Sequence, residues 1–298
     1  DESDWRVMSM QEVPVKLYLD KLLKDCRSVA RQLAQVPGPV KNNALRAMAD
    51  RLAADEEAIL AANTKDVDAV GKSHEADVRK DRMKASVARV RMTADSLKET
   101  AERLRIIAEL PDPVGAVTAR WERPDGLQVS RVRVSIGVIG VISELSPLVM
   151  IESIALCLKS GNLCVFRGSA EWNLTSQAIE AGLRESVEKS GVPAGAWILI
   201  DRPEKEIAVE LMRSVKILDA VIPRGGDGLR KAVVEQAKMP VLCHDGGLTQ
   251  LYVDGDTDIP MAQNMVINSK AQLLGAADAS DTLLVQQVIG RQFLPPLI

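Results

Sequence analysis

The sequence predicts an α/β fold: a doubly wound parallel sheet with a helical N-terminal part and a β-hairpin arm. Two observations predict it. From about Val15 to Ile107, apolar residues recur at three- and four-residue steps, which is the helical period. After Ile142, short strands rich in Val, Ile and Leu alternate with helical stretches of roughly 10–15 residues. Such alternation is typical of βαβ units, which build a parallel sheet.

The N-terminal part is predicted to consist of amphipathic helices. One apolar stripe consists of Leu19, Leu22, Leu23, Cys26, Ala30 and Leu33. The pattern breaks at Pro37-Gly38-Pro39, resumes as a second helix, and continues in charged helices up to the stretch LPDPVG. We interpret the charges as a solvated face.

A β-hairpin is predicted around Arg123-Pro124-Asp125-Gly126, because apolar and polar residues alternate on both sides of it. Asp-Gly between alternating strands is a strong short-range signal for a hairpin. The hairpin would form an arm that leads into a buried strand, IGVIGVI.

The sheet is predicted from four successive strand–helix units. The strands IGVIGVI, NLCVFRG, AWILID and LDAVIPRG are followed by predicted helices Pro147–Lys159, Leu174–Ser190, Glu204–Arg213 and Gly228–Lys238. The stretches MPVLCHDG and QLYVDG are predicted to be further strands. Cys157 and Cys164 lie in apolar surroundings, and we expect buried, reduced thiols there.

Composition restricts the class of protein. The chain has 298 residues, 46% of them hydrophobic and 27% charged, as in ordinary globular proteins. A net charge of −3 argues against a nucleic-acid partner. No apolar run reaches the ~20 residues of a membrane span. Four widely separated cysteines and two histidines lack metal-ligand spacing, so we expect no metal site and a reducing, cytoplasmic location.

Ligands of doubly wound sheets bind beyond the carboxyl ends of the strands. The most informative of these ends is Arg224-Gly225-Gly226, followed by Gly228 where a helix begins. Glycines let backbone N–H groups approach a phosphate, and a helix N-terminus favours anions. Arg167 adds a cation at a second strand end. Each feature alone could be a plain glycine turn or a surface ion pair, but together they favour a nucleotide site.

Five stretches closely resemble the γ-glutamyl phosphate reductase family (glutamate-5-semialdehyde dehydrogenases) of the aldehyde dehydrogenase superfamily: VSIGVIGVISE, ALCLKSGNLCVFRG, VIPRGGDGLRKAVVEQAKMPVLCHDG, LYVD and VINSKAQ. The resemblance covers roughly 13–285. It implies a Rossmann-like, aldehyde dehydrogenase-like fold with a cofactor-binding domain (13–116 and 137–255), an oligomerisation hairpin (117–136), and the start of a catalytic domain, incomplete and truncated (256–298).

The resemblance also implies NADPH-dependent reduction of γ-glutamyl phosphate to glutamate 5-semialdehyde in proline biosynthesis, through a thioester on a cysteine. The cofactor would be NADP(H), with NAD(H) as the alternative, and the full-length protein would be a homo-oligomer. The cofactor-binding positions expected at the strand ends are Ser143, Glu144, Arg167, Gly168, Ser169, Pro223, Arg224, Gly225, Gly226 and Gly228.

The run NSKAQLLGAADASDTLLV, 268–285, matches the family's nucleophile region without a gap, and the cysteine position falls on Ala277. Ser146 and Leu148 stand where the family carries an arginine and an asparagine. No catalytic residue is therefore assigned, although Asn268, His244 and Cys243 are weak candidates. Two hypotheses stay open: an active enzyme of this family, or an inactive relative or fragment that serves as a nucleotide-binding or structural subunit.

Overall fold

The computed structural model describes residues 13–73, 87, 90–202, 204–243, 247–271 and 279–297. The chain divides into two compact units, Asp1–Cys243 and His244–Ile298. Within the described ranges, no helix has the length and apolar content that crossing a membrane requires.

The predicted helical N-terminal part is present. Its helices in the described ranges are Val15–Leu22 (α1), Cys26–Leu33 (α2), Gly38–Ala54 (α3), Glu56–Ser73 (α4) and Ala94–Glu109 (α5). The predicted stripe faces the core, since Leu22 is half-buried against it and the other five members are buried: Leu19, Leu23, Cys26, Ala30 and Leu33. The break at Pro37 is also confirmed, because Pro37 is the N-cap of α3.

The predicted hairpin consists of Val117–Glu122 (β1) and Gln128–Val132 (β2), which pair antiparallel. Gly126 N donates to Arg123 O at 2.9 Å, and Arg123 N donates to Leu127 O at 3.0 Å. Gly126 has a φ of +84°, a conformation that costs glycine little. The turn therefore requires the glycine of the Asp-Gly pair, as the sequence predicts.

The parallel sheet consists of Val138–Ser143 (β3), Leu163–Arg167 (β4), Trp197–Ile200 (β5) and Ala220–Arg224 (β6), in the order β5-β4-β3-β6. Three helices connect these strands: Pro147–Lys159 (α6), Asn173–Val187 (α7) and Lys205–Leu211 (α8). Asp227–Gln236 (α9) follows β6. Every residue of β3 is buried, so the sheet forms the centre of the first unit.

A buried aspartate fixes the start of α7, the helix that follows β4. Asp66 of α4 is 5% exposed. Its carboxylate accepts hydrogen bonds from Leu174 N (3.3 Å), Thr175 N (2.8 Å) and Thr175 Oγ1 (2.6 Å). Asp66 thus caps α7 from another helix, because Trp172 at the N-cap position supplies no side-chain cap.

The stretch MPVLCHDG departs from its prediction as a strand. Among its described residues the pairing is a single parallel bridge between Val221 and Val241. Pro240 O accepts from Val221 N at 3.0 Å, and Leu242 N donates to Val221 O at 2.9 Å. Pro240 has no N–H group with which to extend the ladder. Residues 244–246 lie outside the described part of the chain.

In the second unit, Gln250–Val253 (β7) and Thr282–Val285 (β8) pair parallel, with Ile259–Ala271 (α10) between them and Gln287–Phe293 (α11) after them. Its core contains Val253, Ala262, Ile289 and Phe293. The sequence predicts β7 as part of a cofactor-binding domain that ends at 255. Strand β7 pairs with β8, because α10 returns the chain in the same direction and forms a βαβ unit. The predicted boundary of the cofactor-binding domain at 255 stays a prediction.

Candidate functional site

Three strand ends meet at one edge of the sheet. Strands β4 and β6 flank β3 on opposite sides, and the register pairs Ile142 with Arg167 and Ser143 with Arg224. The strand order reverses direction between β3 and β6, which is the point where ligands bind in doubly wound sheets. The structure therefore brings the predicted residues at 143–144, 167–169 and 223–226 to a common edge.

A glycine turn leads from β6 into α9 at this edge. Gly226 is the N-cap of α9 and supplies no side-chain cap, and the bond from Arg230 N to Gly226 O (3.1 Å) begins the helix. A Cβ placed on Gly226 or Gly228 would meet no atom within 4 Å. The first N–H groups of a helix lack intrahelical partners and carry the positive end of its dipole. This open turn can accept an anion.

Arg167 is half-buried at the end of β4. Burial lowers the pKa of its guanidinium, while the charges of Glu144 and Glu204 act in the opposite direction. Arg167 is thus a cation held near two carboxylates at the same edge of the sheet. It can form a charge-assisted hydrogen bond to a phosphate or a ribose.

Ser143 and Ser169 serve local turns. Ser143 is fully buried, and its Oγ accepts from Leu145 N at 3.1 Å. Ser169 Oγ accepts from Glu171 N at 3.4 Å and caps a short 3-10 helix, Ala170–Trp172. Gly168 and Ser169 also line a shallow depression with Asn173, Asp201 and Arg202. Pro223 is buried within β6, whereas Arg224 is exposed.

A polar network that the sequence analysis did not identify lies beyond the end of β5. Tyr18 Oη donates to Asp201 Oδ1 at 2.7 Å, and the guanidinium of Arg202 lies 4.9 Å from the centre of the Tyr18 ring. Burial, with the bond to Asp201, raises the pKa of Tyr18. Arg202 Nη1 donates to Val13 O at 2.7 Å. The network fastens α1 to the edge of the sheet that carries the site.

Glu204 joins this network to Arg167. Arg202 donates to Glu204 Oε1 from Nε (3.0 Å) and Nη2 (2.7 Å), and this hydrogen bonding lowers the pKa of Glu204. A single sequence signal could have identified it, since Glu204 follows a predicted strand as Glu144 and Arg167 do.

The structure describes two of the three candidate catalytic residues, Cys243 and Asn268. Ala277 and His244 lie outside the described residues. Cys243 is half-buried in the first unit, and Asn268 is exposed on α10 in the second. At the end of the nucleophile region, Ser280 N donates to Ser269 O at 3.2 Å. The catalytic roles of Asn268, His244 and Cys243 stay predictions, as does the assignment of Ala277 to the position of the nucleophile.

Comparisons with known proteins show the family to which the chain belongs. A model of the aldehyde dehydrogenase family matches residues 16–298. The gamma-glutamyl phosphate reductase of Heliobacterium modesticaldum is 40% identical over 272 residues, which are 91% of this chain and 64% of the relative. That of Parvibaculum lavamentivorans is 40% identical over 292 residues, 98% of this chain and 67% of the relative. The chain thus spans about two thirds of the length of these curated relatives.

Among solved structures, the gamma-glutamyl phosphate reductase of Thermotoga maritima is similar, with a TM-score of 0.83 and 33% sequence identity. The match covers 94% of this chain and 66% of that one. The doubly wound architecture predicted from the sequence is therefore confirmed.

Proposed function

Because the chain belongs to the aldehyde dehydrogenase family, we propose that it binds NADP(H) across the carboxyl ends of β3, β4 and β6. The observation that carries this proposal is that Arg167 and the open turn Arg224–Gly228 lie at the same edge of the sheet, on either side of β3, where the strand order reverses. Family membership supports a nicotinamide dinucleotide in general. The preference for NADP(H) over NAD(H) is part of the proposal, and rests on an arginine rather than a carboxylate at the end of β4.

The residues fit such a ligand. The turn at Gly226–Gly228 offers backbone N–H groups to a phosphate, and a Cβ on either of these two glycines would meet no atom within 4 Å. Arg167 supplies a positive charge at the neighbouring strand end, with a phosphate or ribose of the adenosine half as its partner. When bound, the nicotinamide supplies the hydride, and the protein's part is to hold and orient it.

The reaction we propose for the whole protein is the NADPH-dependent reduction of γ-glutamyl phosphate to glutamate 5-semialdehyde, in proline biosynthesis. Relatives about 40% identical carry the name of this reductase. The first unit would then be the cofactor-binding part, and the second unit the beginning of the catalytic part.

A second candidate function is favoured by one observation in the sequence. The position of the family's nucleophilic cysteine reads Ala277, and an alanine cannot form a thioester. In this alternative the protein keeps the nucleotide site and works as an inactive, nucleotide-binding or structural subunit.

Two measurements separate the candidates. Titration calorimetry with NADPH tests the nucleotide site, and reduction of NADP⁺ in the presence of glutamate 5-semialdehyde and phosphate tests turnover in the reverse direction. Binding with turnover supports the reductase, and binding without turnover supports the inactive subunit. If NADPH does not bind, the nucleotide site is wrong.

Assembly and location complete the proposal. The hairpin exposes Trp121, Leu127 and Val132, which are 46%, 55% and 48% accessible. An exposed strand edge with apolar side chains is a site of association, so we propose that this arm joins copies of the full-length protein. The free thiols Cys26, Cys157 and Cys164 are buried, as predicted, and they suit a reducing, cytoplasmic compartment.

A further inference from the structure

The side chain of Glu144 lies against the glycine turn. A Cβ on Gly225 would lie 2.9 Å from Glu144 Oε2 and 3.3 Å from Glu144 Cβ. Backbone pairing fixes this approach, because Glu144 N donates to Arg224 O at 3.0 Å. The carboxylate reaches the turn because β3 and β6 are neighbours and residue 225 has no side chain.

The Glu144 carboxylate therefore lies beside the glycine turn at the start of α9, which we propose as a phosphate site. Its charge also acts on Arg167, where it opposes the loss of basicity that burial causes in the pKa of that guanidinium. A second carboxylate, Asp227, belongs to the first turn of α9, but it pairs with Arg230 and is 75% exposed. Of these two carboxylates, only that of Glu144 lies at Gly225.

We infer that Glu144 is a specificity-determining residue of the cofactor site, an internal anion with which the phosphates of the dinucleotide compete. The inference rests on the proposed function, which places those phosphates at the turn Arg224–Gly228. A phosphate that approaches Gly225 meets a like charge, and the Glu144 side chain must turn away before the N–H groups of α9 can bind it. The Glu144 carboxylate does not repel uncharged ligands.

The size of the effect follows from Coulomb's law. Two unit charges ~4–5 Å apart interact weakly in water and several times more strongly at a partly desolvated protein surface. Because Glu144 is exposed, we expect the weaker end of this range. Removing its charge should tighten the binding of a phosphate ligand roughly five- to tenfold.

The experiment compares three proteins by titration calorimetry: the parent chain, Glu144→Gln, and Glu235→Gln as the matched control. Both variants lose one negative charge, but Glu235 is exposed in the last turn of α9, at the opposite end of the helix from the turn Arg224–Gly228. Inorganic pyrophosphate, NADPH and adenosine are the probes, and the thermal midpoint of each protein shows that it is folded.

Glu144→Gln should bind pyrophosphate and NADPH roughly five- to tenfold more tightly than the parent, with adenosine unchanged. Glu235→Gln should stay within about twofold of the parent for all three probes. Equal dissociation constants in the parent and both variants would overturn the inference and leave the proposed function standing. So would weaker NADPH binding by Glu144→Gln, because the carboxylate would then accept a hydrogen bond from the cofactor. If neither pyrophosphate nor NADPH binds any of the proteins, the inference and the proposed site both fail.

Discussion

Replacing Asp66 by asparagine should destabilise the first unit, because Asp66 caps α7 from another helix. The carboxylate accepts three hydrogen bonds, from Leu174 N, Thr175 N and Thr175 Oγ1, at 3.3, 2.8 and 2.6 Å. Asparagine has nearly the same size but only one acceptor oxygen, so its NH₂ group must face donors. The perturbation removes charge and acceptors without opening a cavity.

The magnitude can be worked from these contacts. A hydrogen bond to a charged group contributes about 1.5–3 kcal/mol, and a carboxylate at a helix N-terminus gains about 0.3–1 kcal/mol from the helix dipole. Asparagine retains part of both contributions, so we expect the free energy of unfolding to fall by about 2–3 kcal/mol. In a unit of this size that corresponds to a fall of roughly 4–12 °C in the thermal midpoint.

The assay is urea unfolding followed by circular dichroism, with Asp68→Asn as the matched control. Asp68 belongs to the same helix and is exposed, so its substitution should change the free energy of unfolding by less than about 0.5 kcal/mol. If Asp66→Asn is as stable as Asp68→Asn, the cap does not hold α7, and the reasoning from burial and hydrogen bonds is refuted.

The remaining predictions concern cofactor, turnover and assembly. Arg167→Ala should weaken NADPH binding about tenfold or more through the loss of a charge-assisted hydrogen bond, while Arg120→Ala on the hairpin leaves it unchanged by calorimetry. If the second candidate function holds, the parent chain shows no steady-state turnover, and Ala277→Cys alone does not restore it, because Ser146 and Leu148 have also replaced polar family residues. Robust turnover by the parent would contradict the assignment of Ala277 to the nucleophile position and support the reductase. In the full-length protein, Trp121→Glu should shift light scattering toward smaller species, and a parent that is monomeric at micromolar concentration would refute the role of the arm.

Much of the architecture could be predicted because it depends on residues that are close to one another in the sequence. The hairpin turn depends on Gly126, and the strands of the sheet are runs of Val, Ile and Leu that only burial explains. Helix ends were predicted less well: the helix predicted as Leu174–Ser190 spans Asn173–Val187, and that predicted as Gly228–Lys238 spans Asp227–Gln236. The caps that set such ends depend on distant residues such as Asp66.

The sequence could predict which strand ends form the site, but not which of their side chains approach one another. The rule that ligands bind beyond parallel strands identified Arg167 and the turn at Arg224, and pairing in the sheet brought them together. The approach of Glu144 to Gly225 depends on which strand neighbours β3, and no local pattern contains that information. Glu204 follows a predicted strand, but its role depends on Arg202 and Arg167, which only the fold brings near it.

The network at the end of β5 has a consequence for local stability. An eight-residue helix such as α1 is marginal by itself, so its protection against hydrogen exchange depends on Tyr18, Asp201 and Arg202 rather than on its own helical propensity. Arg202 is held by Glu204, the carboxylate that also acts on Arg167. A ligand that draws Arg167 toward itself changes the charge balance around Glu204. We therefore expect the exchange rate of α1 amides to change when a ligand binds at the strand ends, which hydrogen-exchange measurements can test without a label at the site.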